Sequence, residues 1–163
     1  MKTYQLLYDA PNADLHTAVA AGKAVCVAPN MVEHARGAIA TFAGYPDGKH
    51  HILVKAAEAR LAVEQGAELI IAVLAGKEEQ LVLTECVTLR EAVPHPTTLA
   101  VLIDTQTLEV TEALQLAKLV KRCGADAICT GIGGCNEELN PHLAAILPLV
   151  GGLGSQLTVK LER

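Results

Sequence analysis

The sequence has no tryptophan, one phenylalanine and three tyrosines, so it offers few flat faces on which nucleic-acid bases could stack. Positive charge is not in excess either: 13 Lys and Arg against 18 Asp and Glu leave a net charge of −5, no footprint for nucleic acid or an anionic membrane. The five cysteines, Cys26, Cys86, Cys123, Cys129 and Cys135, contain no CxxC pair and fall mostly within apolar segments. They read as reduced, small hydrophobes rather than as a disulfide framework or a zinc cage. No apolar run reaches the ~18 residues of a membrane span, and the opening MKTYQLLYDA has no long apolar stretch before a small-residue cleavage site. Neither GxGxxG nor GxxxxGK[ST] follows any apolar run, and His50 and His51 have no third partner at metal-ligand spacing. A cytoplasmic protein without nucleic-acid or membrane partners is expected.

What is there is a core. With 163 residues and 51% hydrophobic content the chain is expected to form one domain over residues 1–163. Short apolar runs bounded by Gly, Pro or Asp predict strands at Thr3–Tyr8, Ala24–Ala28, Ala38–Ala43, Glu68–Ala75, Thr98–Asp104, the run from Ala125 and Leu157–Lys160. Between them, helical spacing predicts helices over Asp14–Ala21, His51–Gln65, Lys77–Val93 and Leu108–Cys123, with a short one after Asn140–Pro141. In the second of these, Ile52, Ala56, Ala59 and Val63 form the apolar stripe, and Lys55, Glu58 and Glu64 are expected on other faces. Seven strands alternating with helices imply parallel βα units with right-handed crossovers, built as an open doubly wound sheet or a (β/α) barrel. Periodicity does not choose between the two.

The stretch GADAICTGIGG (124–134) looks like a buried parallel strand opening into a glycine-rich loop, which is where α/β proteins place their chemistry. Together with CVAPNMV (26–32), ATFAGYPDG and VKAAEARLAVEQGAELI (within 40–70), and LAVLIDTQTL (99–108), it resembles the deoxyribose-phosphate aldolases in order and spacing. The resemblance covers roughly residues 5–160. It implies a TIM-type barrel and a carbon–carbon lyase that works through a Schiff base on a small phosphorylated aldehyde or sugar, with no metal or other cofactor. By the same resemblance the imine-forming lysine of the sixth strand aligns with Cys129, the fourth-strand aspartate with Ile71, and a second lysine, of the seventh strand, with Lys160. The chain then ends at Arg163 without the family's following glycine-rich turn, so an incomplete barrel of about seven parallel strands is expected.

Imine chemistry needs an unprotonated amine and a group that moves protons. The candidates are Lys160, which would face an interior lined by Ile71, Val73 and Ile128 or else reach solvent; Cys129, which is a nucleophile if Lys160 on the adjacent strand lowers its pKa and otherwise a buried thiol; and Asp104, a polar group at a strand end or a cap for the next turn. Thr130, Gly131, Gly133 and Gly134 could present backbone amides to a phosphate. Three readings follow: a barrel with weak or absent lyase activity, a lyase of altered mechanism using Lys160, and a non-catalytic binding or assembly module. Unpaired edges on the first and seventh strands would favour a homo-oligomer in each case.

Overall fold

The computed structural model describes residues 2–132, 138–153 and 156–160. Its strands and helices are β1 (Lys2–Leu6), α1 (Asn12–Ala20), β2 (Val25–Val27), β3 (Ile39–Ala43), α2 (Ile52–Glu64), β4 (Leu69–Val73), α3 (Glu79–Ala92), β5 (Thr98–Leu102), α4 (Val110–Arg122), β6 (Ala127–Ile132), α5 (Asn140–Ala144), β7 (Leu149–Leu153) and β8 (Gln156–Lys160), with a 3₁₀ segment at Pro29–His34. From β1 to β7 each strand pairs in parallel with the next, as the βα alternation predicts. The sheet curls into a barrel rather than opening flat. Strands covered on both sides read as unbroken apolar runs, and every residue of β3 and of β4 is buried.

Alternation divides each strand between two cores. Ile39, Ala43, Ile70 and Leu99 face α1, α2 and α3, while Val101 and Ile128 face α3, α4 and α5. Tyr4, Cys26, Ala40, Phe42, Leu69, Ile71, Ala100, Ala127, Cys129 and Val150 fill the barrel. Ile71 therefore lines the interior as expected, whereas Ile128 points the other way, into the helices.

The sheet departs from the sequence reading at its end. The predicted seventh parallel strand, Leu157–Lys160, is the eighth and runs antiparallel to both β7 and β1. Parallel β7 is Leu149–Leu153, whose Gly151 and Gly152 carry no side chains to show a period of two. Only two residues separate β7 from β8, enough for a hairpin but far short of the dozen or so that a parallel crossover needs. The edges expected to lie open on β1 and β7 are both paired with β8, so the barrel closes.

Candidate active site

Parallel strands present their C-terminal ends on one face, and in barrels of this kind the loops leaving that face build the site. Here the mouth is formed by Tyr8 after β1, the Gly44–Gly48 loop after β3, Leu74–Lys77 after β4 and Ile103–Thr107 after β5. Three of the four aromatic residues meet at it: Tyr8 lies 5.6 Å from Phe42 and 4.8 Å from Tyr45, and Phe42 and Tyr45 are 4.7 Å apart, ring centre to ring centre. Burial, then the nearby Glu58 carboxylate, pushes the Tyr8 hydroxyl pKa up, so it is a neutral donor.

Beneath the mouth loops lies a polar anchor. Lys55 is fully buried, and its Nζ donates to Glu85 Oε1 at 2.9 Å, to the Gly48 carbonyl at 2.8 Å and to the Val73 carbonyl at 3.1 Å. The other carboxylate oxygen of Glu85 accepts from the Ala75 amide at 3.2 Å, and Glu58 accepts from the Gly44 amide at 2.9 Å. Both loops are thus tied to α2 and α3. This corrects the expectation that Lys55 lies on a face other than the buried one. It stands three residues after Ile52 and four before Ala59, on the buried side of α2, and Glu85 stands three after Val82 and four before Leu89 on α3. That register was the available signal, and the reading missed it because charged residues are almost never fully buried unless paired.

The candidate residues do not all come together. Cys129 faces the barrel interior with none of its surface exposed, and burial pushes its thiol pKa up to about 11, against which a bond from the Gly131 backbone is the smaller effect. The same burial, with Cys129 nearby, pushes the Cys26 thiol up as well. At neutral pH both are thiols, not thiolates. Asp104 is exposed, and its Oδ1 accepts from the Gln106 amide at 3.0 Å, so it caps its own turn. With Asp47, Lys77 and Thr107 it also lines a cleft of about 310 Å³ between the β4 and β5 loops. Thr130 and Gly131 lie inside β6 rather than in a loop after it. The register slips there by one residue, because Cys129 pairs with Val150 but Ile132 pairs with Gly152. Gly131, at φ +111°, supplies the backbone of this bulge. Thr130 is buried, and its carbonyl accepts from Thr105 Oγ1 at 3.4 Å. Gly133 and Gly134 lie outside the described residues.

Lys160 is not beside Cys129. β7 lies between β6 and β8, and in the antiparallel register Lys160 pairs with Leu149, the first residue of β7. That is the end of the barrel opposite the mouth.

No protein-family model matches the chain. The deoxyribose-phosphate aldolase of Nocardia farcinica is 44% identical over 117 residues, 68% of this chain and 53% of that protein. That of Corynebacterium jeikeium is 37% identical over 127 residues, 68% of this chain and 51% of that one. The chain belongs to the deoxyribose-phosphate aldolase family. It spans about half the length of the curated relatives it matches. The tetrameric deoxyribose phosphate aldolase of Aeropyrum pernix superposes with a TM-score of 0.79 over 94% of this chain and 75% of that one, at 18% identity, a likeness of fold. Where the family resemblance calls for an amine on β6 and a carboxylate on β4, the side chains present are the Cys129 thiol and the Ile71 hydrocarbon, both wholly buried.

Proposed function

We propose that this chain is an aldolase-family barrel that keeps the mouth of a carbon–carbon lyase, and binds a small phosphorylated aldehyde or sugar there, with retro-aldol activity weak or absent. The observation that carries this reading is the chemistry of Cys129. A thiol can add to an aldehyde carbonyl to give a hemithioacetal, but sulfur cannot become the protonated imine that takes up the electron pair when the carbon–carbon bond breaks. A thiol pushed up to about 11 is also a poor nucleophile at neutral pH. Ile71 has no proton to give or take. Loss of the nucleophile or of a proton-transfer group each costs orders of magnitude in rate.

The runner-up reading is an active lyase in which Lys160 forms the imine. Borohydride reduction with acetaldehyde or glyceraldehyde 3-phosphate, followed by intact mass and peptide mapping, separates the two. Our reading expects no adduct on any lysine beyond that of a denatured control. A reduced adduct mapping to Lys160 and absent from Lys160→Arg would establish the second reading instead. A homo-oligomer is part of the proposal, since family scaffolds assemble in at least one case, the tetrameric protein above.

A further inference from the structure

We infer that the cleft between the β4 and β5 loops is a binding site for a short aliphatic diamine, with one ammonium group held by Asp47 and the other by Asp104. The site goes beyond the proposed function and does not depend on the lyase reading. It reaches outward from the barrel to Leu116 of α4, and its charge has the wrong sign for a phosphorylated ligand.

The cleft holds about 310 Å³, at the lower end of the range for small-molecule pockets, and Val73, Leu74, Leu102 and Leu116 make its apolar wall. Leu74 and Leu102 are only half-buried in the free protein. A hydrocarbon chain laid over them removes apolar surface from water on both sides of the contact, which favours a ligand with an apolar middle.

Charge selects the ends of that ligand. Asp47 and Asp104 are exposed, and each has one oxygen occupied by its own turn: Asp47 Oδ1 accepts from the Lys49 amide at 3.1 Å and Asp104 Oδ1 from the Gln106 amide at 3.0 Å. Among the described residues neither carboxylate has a cationic partner. Lys77 also lines the cleft, but its Nζ lies 2.6 Å from Glu112 Oε1, so that pair is neutral as a unit. What is left is the two uncompensated negative charges of Asp47 and Asp104, which attract a cation and repel a phosphate. Spacing selects the length. Asp47 follows β3 and Asp104 follows β5, with β4 between them, so the two loops leave the sheet two strand spacings, about 10 Å, apart. Two ammonium groups joined by about four or five carbons, with a charge-assisted contact of about 2.8 Å at each end, reach across that distance.

The test is a titration of the full chain with 1,5-diaminopentane at low salt, followed through backbone amide shifts by two-dimensional NMR. Saturable shifts are expected at residues lining the cleft in the three loops, with a dissociation constant on the order of 0.5 mM. Asp47→Asn and Asp104→Asn keep the oxygen that caps each turn and remove the charge, so each is expected to retain the fold and to weaken binding about tenfold. 1-Aminopentane, with a single ammonium group, is expected to bind the parent about tenfold more weakly than the diamine. Glycerol 3-phosphate, which has no aldehyde to react with the amine, is expected not to displace it. No saturable shift by about 10 mM diamine, or an affinity that both variants leave within about twofold, would overturn the site. 1-Aminopentane binding as tightly as the diamine would overturn the two-ended arrangement, and displacement by glycerol 3-phosphate would overturn the separation from a sugar-phosphate site. None of these results bears on the borohydride experiment, so the two readings fail separately.

Discussion

Lys55 shows how a single charge can organise a mouth without touching a substrate. Its ammonium group is wholly enclosed and satisfied by one carboxylate and two carbonyls, from the β3 loop and from β4. Removing one partner of such a pair leaves an uncompensated charge in a low-dielectric site, which costs about 3–5 kcal/mol, whereas replacing both with apolar groups is often close to neutral. Lys55→Met is therefore expected to lose about 3–5 kcal/mol in urea unfolding, and Lys55→Met/Glu85→Leu to recover most of it. Equal losses in the single and double variants would refute the anchoring role. Neither residue was singled out as buried from sequence, although both sit at apolar register positions. Ile71, by contrast, was legible as an interior residue, whereas Ile128 was expected there too although alternation with the inward Cys129 turns it toward the helices.

At the scale of elements, the β3 loop is held in place by a glycine as much as by the ion pair. Gly48 has φ +71°, and a Cβ there would stand 2.2 Å from the Leu74 carbonyl oxygen and 2.8 Å from that of Val73. Gly22 has nearly the same φ, +69°, with nothing within 4 Å. Gly22→Ala is thus expected to cost only the left-handed backbone penalty of about 1–2 kcal/mol, and Gly48→Ala clearly more, because a backbone clash is added. Similar midpoints in urea for the two variants would contradict this account of the loop. Every helix, including the one or two turns expected at Met31–Arg36 and found as the 3₁₀ segment Pro29–His34, was legible to within a few residues, since caps and helical spacing are local. β7 was not. A strand written Leu-Val-Gly-Gly-Leu shows no alternation, and its neighbour's direction is set by the two-residue connection rather than by composition.

For the molecule as a whole, buried acids fix the alkaline limit of stability. The thiols of Cys26, Cys86 and Cys129 are all pushed up from an ordinary 9.0 by burial, Cys86 to about 12 and Cys129 to about 11, and the Tyr4 hydroxyl is raised by burial and by its bond to Glu68. Above about pH 9 the unfolded chain gives up these protons while the native one keeps them, so it binds fewer protons and stability falls as pH rises. Each group contributes up to about 1.4 kcal/mol per pH unit between its two pKa values. Urea unfolding from pH 8 to 10.5 should show this decline, and Cys129→Ala should flatten the slope whatever it does to stability at pH 8. A slope unchanged by that substitution would mean that the thiol is not held neutral by burial. Barrel closure was the whole-molecule feature least visible in sequence, since β8 pairs residues more than 150 positions apart in the chain, Lys2 with Val159. We propose that the Cys129 thiol stands on β6 where imine chemistry needs an amine, and cleavage of deoxyribose phosphate measured beside an active family enzyme tests this most directly. The expected rate is at least about a thousandfold lower, unaffected by Cys129→Ser. Turnover comparable to that of the active enzyme would refute it.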